Sequence, residues 1–223
     1  MTAESFSTST VDSTVSYADT ERAIGHAARA AVEAPVGRTT GWWGMVLLIC
    51  TEGATFAVFL ASYFYLRFDH GGPWPPAADK VPHLYYTSIG TGILVASCAL
   101  MALAVRATPR DRRGALALLL FVVFGAGCVF VSFQTIDYLQ EMASGSTPAK
   151  DAYGSLLYLI TGLHLVHVVA GLVMLIYLML SGLMGRIGSE NPWPTRIVAL
   201  YWYFLAVLAV AIYGTVYISP YLQ

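Results

Sequence analysis

Charged residues are scarce in this sequence. They make up 11% of its 223 residues, whereas soluble domains usually contain about 25%. The formal net charge is only -1. This composition excludes a soluble enzyme with an ordinary charged surface, an intrinsically disordered chain and a basic protein that binds nucleic acid.

Cysteines are few and lack the spacing of a metal or disulfide framework. Cys50, Cys98 and Cys128 are the three in the chain, and each lies alone inside an apolar run. No CxxC pair is present. The sequence therefore predicts neither a disulfide framework nor a zinc knuckle.

Long apolar runs are what the sequence has in abundance, since 57% of its residues are hydrophobic. A helix of about 20 residues crosses a hydrocarbon core of about 30 Å, and in lipid the backbone must satisfy its own hydrogen bonds. Residues 42–223 are therefore predicted to form an all-α integral membrane bundle of five transmembrane helices. The predicted spans are Trp42–Leu66, His83–Val105, Gly114–Tyr138, Ser155–Met184 and Ile197–Ile218.

Residues 1–41 differ from the rest of the chain. Ser5–Tyr17 is rich in Ser and Thr, and the Ala-rich Glu21–Glu33 could form a short surface helix. No compact apolar core precedes a small-residue cleavage site, so the segment does not resemble a secretory signal peptide. We interpret residues 1–41 as a mostly disordered cytoplasmic tail.

The basic residues predict the orientation of the bundle. With five spans, nine of them fall on the side of the tail and three on the opposite side. The positive-inside rule then places the N-terminus in the cytoplasm and the C-terminus outside. The nine are Arg22, Arg29, Arg38, Arg106, Arg110, Arg112, Arg113, Arg186 and Arg196, and the three are Arg67, Lys80 and Lys150.

Three ionisable residues lie deep within the predicted spans. Glu52 lies about 15 Å from the cytoplasmic edge and His167 about 12 Å, at 1.5 Å per helical residue, so a hydrogen bond between the first and fourth spans is expected. His164 lies three residues from His167 on the same helix face. Such groups usually face a partner helix or a wet cavity. The residue types leave two interpretations open: a polar clamp between helices, or a proton-relay group or lipid-headgroup contact.

The chain shows no catalytic centre of its own. His164 and His167 share one helix face, so they cannot ligate a haem from both sides, and a di-metal carboxylate site would need more than one deep carboxylate. Glycines at seven span positions would let helices approach closely. The residues thus favour a bundle that docks onto another protein, or a small transporter. The seven are Gly90, Gly92, Gly125, Gly127, Gly162, Gly171 and Gly182.

Four segments, in order along the chain, carry a family resemblance. The first is Gly44–Phe56, which contains Glu52, followed by Ala61–Arg67. The second is Gln134, Asp137 and Tyr138, spaced as Gln-x-x-Asp-Tyr, and the third is Thr161–Gly171 with both histidines. The fourth is Tyr201–Phe204, leading to Ile212 and Tyr213. They resemble subunit III of the haem-copper oxidases (cytochrome c oxidase subunit 3), in a short form with five helices. The resemblance covers about residues 41–217. Tyr203 and Ala206 depart from it, standing where the family usually has His and Asp, and Tyr86 replaces a frequent Asn.

The resemblance implies an accessory, non-catalytic subunit of a cytochrome c oxidase-type terminal oxidase in aerobic respiratory electron transport. It implies no cofactor in this chain apart from bound phospholipid, with haem and copper in partner subunits. The implied partners are the catalytic subunit I, subunit II and membrane lipids, and the implied location is the bacterial cytoplasmic membrane. The subunit would stabilise subunit I and support proton uptake.

The resemblance also assigns roles to particular residues. It implies a buried polar group, linked to proton uptake or to lipid, that consists of Glu52, His164 and His167. It also implies a polar motif at a helix end that consists of Gln134, Asp137 and Tyr138. Two alternatives remain: a subunit III-like component of a nitric oxide reductase system, and a free-standing small transporter.

Overall fold

Five long helices make up most of what the computed structural model describes, which is residues 40–69, 71, 74, 84–143 and 152–221. No strand occurs in these ranges. Apart from Thr40 and Gly41, the predicted tail lies outside the described residues. The helices are α1 (Thr40–Asp69), α2 (Leu84–Ala107), α3 (Arg113–Ala143), α4 (Ala152–Leu183) and α5 (Trp193–Ile212).

The prediction of five membrane spans is confirmed. Each helix is long and apolar enough to cross a membrane, and each contains most of one predicted span. The helices extend past most of the predicted limits, because helical hydrogen bonding continues into polar residues beyond the apolar run. The chain after α5 continues as a π-helical turn, Tyr213–Ile218, and a short 3₁₀ turn, Ser219–Tyr221.

The bundle is built around α2, α3, α4 and α5, with α1 at its periphery. The four central helices pack on one another in sequence, and α2 also contacts α5. α1 contacts α4 and α5 but buries only Phe56 and Tyr63 among its 30 residues. The few side chains that join α1 to the bundle therefore matter more than they would on a central helix.

Trp202 on α5 lies at the centre of the main hydrophobic core and is fully buried. Its indole Nε1 donates to Ser97 Oγ on α2 at 2.9 Å. Glycines on the two neighbouring helices make room for the ring: a Cβ at Gly127 would lie 2.8 Å from Trp202 Cη2, and one at Gly171 would lie 3.2 Å from Cζ3. Side chains at either glycine would collide with the indole.

The prediction that glycines mediate helix contacts is confirmed within the chain for Gly90, Gly127 and Gly171, whereas two others make no such contact among the described residues. A Cβ at Gly92 or at Gly125 would meet no described atom within 4 Å. An added side chain at either position would thus enter open space within the described part of the chain. Small residues in a membrane helix can indicate a close approach, but the sequence does not say which side of the helix is in contact.

A contact between two loops joins the α2–α3 connection to the α4–α5 connection. Asp111, between α2 and α3, has a left-handed backbone with φ of 51°, and its Oδ1 accepts a hydrogen bond of 2.8 Å from the Ser189 backbone N–H between α4 and α5. Hydrogen bonds from the Ser189 side chain and backbone lower the pKa of Asp111. The ionised carboxylate therefore favours this loop contact.

Candidate functional site: two polar groups inside the bundle

Glu52 and His167 form the expected contact between the first and fourth helices. Glu52 Oε2 lies 3.0 Å from His167 Nε2. The His167 side chain is 14% exposed and that of Glu52 is 32% exposed in the chain on its own. The agreement in depth that was estimated from helical rise thus corresponds to a real contact between α1 and α4.

The hydrogen bonds of His167 define where the protons of this pair can lie. Its Nδ1 lies 2.7 Å from the Leu163 carbonyl oxygen, and because a carbonyl can only accept, Nδ1 must carry a proton. The Nε2–Oε2 contact then needs one more proton, on either Glu52 or His167. The pair is therefore neutral glutamic acid with neutral histidine, or a carboxylate with an imidazolium, and its net charge is zero in both cases.

Other side chains hold His167 in this position. The ring of Phe56 on α1 meets the imidazole edge-to-face, with centroids 5.4 Å apart. Tyr201 on α5 donates its hydroxyl to the His167 carbonyl oxygen at 3.3 Å. Residues from α1, α4 and α5 thus meet at His167, which gives α1 a polar attachment to the bundle.

His164 lies on the same helix but does not join Glu52. It is 3% exposed and sits between two aromatic rings, with ring centroids 6.5 Å from Phe56 and 5.6 Å from Phe130. Neither of its ring nitrogens has a hydrogen-bond partner among the described residues. Sequence spacing put the two histidines on one face, but their side chains have different surroundings.

A second polar group surrounds Asp137 in the C-terminal part of α3. Asp137 is 2% exposed, and its Oδ2 accepts hydrogen bonds from Tyr217 OH at 2.9 Å, from Thr87 Oγ1 at 3.4 Å and from Gln134 Nε2 at 3.4 Å. Gln134 Nε2 also donates to Tyr217 OH at 3.2 Å. The four residues come from α2, α3 and the π-helical turn after α5, so this group ties three elements together.

Tyr138 belongs to a different contact, although it follows Asp137 in the predicted motif. Its hydroxyl donates to Thr161 Oγ1 on α4 at 2.7 Å, and Thr161 in turn donates to the Leu157 carbonyl oxygen. Adjacent residues on a helix point about 100° apart. Asp137 therefore faces α2 and the end of α5, while Tyr138 faces α4.

Sequence reasoning missed three residues of these groups: Thr87, Tyr201 and Tyr217. Of the three, only Tyr201 belongs to a segment that carries the family resemblance, as the first residue of the fourth segment and without a predicted role. A tyrosine in an apolar span is a weak signal, because its ring suits the core and only its hydroxyl needs a partner. No group of three or more His, Cys, Asp or Glu side chains among residues 40–69, 84–143 and 152–221 could hold a metal ion.

Comparison with known proteins gives a consistent family. The family model described as cytochrome c oxidase subunit III matches residues 26–221. A probable cytochrome c oxidase subunit 3 of Mycobacterium tuberculosis is 30% identical over 174 residues, which are 78% of this chain and 85% of the relative. The cytochrome bo(3) ubiquinol oxidase subunit 3 of Pseudomonas aeruginosa is 26% identical over 178 residues, 80% of this chain and 83% of the relative. Cytochrome c oxidase subunit 3 of Mus musculus is 27% identical over 180 residues, 78% of this chain and 68% of the relative.

Proposed function

Because the chain belongs to the cytochrome c oxidase subunit III family, it is an accessory, non-catalytic subunit of a haem-copper oxidase, and we propose that it holds its catalytic partner in a durable form. The family carries no metal centres of its own. The names of the relatives do not favour a nitric oxide reductase component or a free-standing transporter.

The proposed partners are subunit I, which would hold the haem and copper, and subunit II. One observation on α1 supports a partner surface. The helix is nearly unburied within its own chain, and it exposes the hydroxyls of Thr51 and Thr55 beside Glu52, each bonded to its own helix backbone. Polar groups at this depth are costly next to lipid tails, and small hydroxyl residues are typical of contacts between membrane helices.

The proposed location is a bacterial cytoplasmic membrane. The chain has five helices that could span a membrane, which makes it an integral membrane protein. The relatives from Mycobacterium tuberculosis and Pseudomonas aeruginosa, both bacteria, support this location.

The observation that carries the proposed role of the site is the closed Glu52–His167 contact. Both protons of the pair are committed to hydrogen bonds, one to the Leu163 carbonyl and one between Nε2 and Oε2. We therefore favour a polar clamp that fixes α1 to α4 over a group that gives up protons at each turnover. Proton uptake by the complex would be supported indirectly, through the shape of the subunit.

Two substitutions at Glu52 separate the clamp from a proton relay. Gln can still donate a hydrogen bond to the neutral His167 ring but cannot titrate, whereas Leu can do neither. The clamp predicts that Glu52→Gln keeps normal subunit recovery, oxygen reduction and proton translocation. Glu52→Leu should lose about 1 kcal/mol of helix association, within the range of polar contacts between membrane helices, and should shorten the active lifetime of the purified oxidase.

The measurements are subunit recovery in the purified complex, oxygen consumption over many turnovers and protons released per electron. Ser62→Ala is the matched control, since it removes a hydroxyl on the same helix that bonds to the Val58 carbonyl oxygen of its own backbone. A relay would make Glu52→Gln as damaging to proton translocation as Glu52→Leu, and that result would exclude the clamp as the sole role.

We also propose that phospholipid binds in an apolar groove between α2 and α5. Its volume is about 400 Å³ and it is lined by Val95, Cys98, Tyr203, Ala206, Val207 and Val210, which suits an acyl chain. Val207→Trp should fill the groove and reduce the lipid that native mass spectrometry detects on the purified oxidase. Val173→Trp, at an exposed position on α4, is the control. Equal lipid retention in both variants would place the lipid elsewhere.

A further inference from the structure

A small cavity lies between α2, α3, α4 and the end of α5, next to the Asp137 group. Its volume is about 10 Å³, which is about the space that a single water molecule needs. Its walls include Thr91, Gln134, Thr161 and His164. The cavity is thus too small for an organic ligand. Apolar side chains line most of it, but several polar groups reach its wall, whereas cavities that stay empty are apolar.

His164 brings the strongest unmet hydrogen-bonding demand to this cavity. A neutral imidazole has one N–H donor and one acceptor nitrogen, and neither nitrogen of His164 meets a described polar group. Phe56 and Phe130 hold the ring from two sides, so it has little freedom to turn towards another partner. Buried polar groups in native proteins are nearly always paired with protein or ordered water.

Two other wall residues have hydrogen-bonding capacity that complements His164. Gln134 uses its Nε2 on Asp137 and Tyr217, so its Oε1 remains as an acceptor. The Thr91 hydroxyl bonds to no described residue. Thr161 differs, because its hydroxyl already accepts from Tyr138 and donates to a carbonyl.

We propose that this cavity is a binding site for one structural water molecule. The water accepts the His164 N–H, donates to Gln134 Oε1 and makes a third hydrogen bond with the Thr91 hydroxyl. The His164 N–H, Gln134 Oε1 and the Thr91 hydroxyl then share one partner, and a buried water typically makes about three hydrogen bonds. The water joins His164 to the Asp137 group, so that α2, α3, α4 and the turn after α5 share one continuous polar network.

The direct test is a map of the intact wild-type oxidase in which other buried waters are visible. We expect a peak at hydrogen-bonding distance, about 2.7–3.2 Å, from a His164 ring nitrogen and from Gln134 Oε1. A map with other buried waters but no peak here would overturn the proposal. A His164 ring bonded directly to a protein group would overturn it as well.

A double-mutant cycle tests the same water by its energetics. Thr91→Val and His164→Phe each remove one hydrogen-bond partner of the water. The measured quantity is the rate at which the heated oxidase loses this subunit. The rate change in the double variant should differ from the product of the two single changes. We expect the double variant to depart from the product of the single effects by about two- to tenfold, as for residues that share a partner. Ser132→Ala, an exposed hydroxyl on α3 that bonds to the Cys128 carbonyl, is the control and should combine independently with His164→Phe.

Independent effects of Thr91→Val and His164→Phe would contradict a shared water. If His164→Phe prevents assembly, the wild-type map still decides the question, because it depends on no variant.

Discussion

The packing around Trp202 allows a prediction with an internal control on a single helix. Gly127 and Gly125 lie two residues apart on α3. An added Cβ at Gly127 would lie 2.7 Å from Leu172 Cδ2 and 2.8 Å from Trp202 Cη2, while one at Gly125 would meet no atom of the described residues within 4 Å. We expect Gly127→Ala to destabilise the bundle and Gly125→Ala to leave it unchanged or stabilise it.

The magnitude follows from these distances. Carbon atoms pack at about 3.5–4.0 Å, so Leu172 and Trp202 would have to move about 1 Å away from a methyl group at position 127. Leu172 can rotate, but Trp202 cannot, because it is fully buried, bonded to Ser97 and bordered by Gly171. Overpacking of this kind costs about 1–3 kcal/mol. The gain in helix propensity from Gly to Ala, about 1 kcal/mol, is common to both variants and cancels in their difference.

The free energy of unfolding of Gly127→Ala should therefore lie about 1–3 kcal/mol below that of Gly125→Ala. Titration of the purified chain in mild detergent with SDS, followed by tryptophan fluorescence, would measure it. Equal stability of the two variants would refute the argument, because it would mean that the side chains around Trp202 can move apart without a loss of free energy.

Two further predictions concern single hydrogen bonds. Trp202→Phe removes the hydrogen bond to Ser97 and should lower the free energy of unfolding in the same titration by at least the roughly 0.5–1.5 kcal/mol that one hydrogen bond contributes. Trp43→Phe, at an exposed position on α1, is the control and should have no effect. Equal effects of the two substitutions would argue against the Ser97 bond. Hydrogen bonds from Ser189 lower the pKa of Asp111, so the loop contact should be strongest above the ordinary Asp pKa of about 3.9 and should weaken as pH falls through the lowered value. The rate of amide hydrogen exchange in the α4–α5 loop, corrected for its intrinsic pH dependence, should rise on acidification. At neutral pH it should also rise in Asp111→Ala, but not in Asp111→Asn, which keeps an acceptor oxygen. An unchanged rate in Asp111→Ala would contradict the contact.

The level of a residue along its helix was the structural quantity that the sequence predicted best. The apolar runs gave five spans because a helix must be about 20 residues long to cross the hydrocarbon core. Helical rise then gave a level for each polar residue, and the contact between Glu52 and His167 followed from their equal depth.

The direction in which each side chain points around its helix axis was predicted poorly. Gly125 and Gly127 look alike in sequence, but only Gly127 faces Trp202. Asp137 and Tyr138 were expected to form one motif, yet they face different elements. In a span that is apolar on all sides the hydrophobic pattern has no preferred face, so the pattern could not decide these cases.

The sequence by itself thus determined the number, order and depth of the helices, because hydropathy and a constant rise per residue are properties of the chain read along its length. The family motifs added which kind of protein carries this pattern. Only the tertiary structure decided that His164 lines a small cavity while His167 contacts Glu52, and that Tyr217 in the π-helical turn bonds to Asp137. These contacts depend on how the helices are rotated against one another, and side chains from several helices set that rotation together.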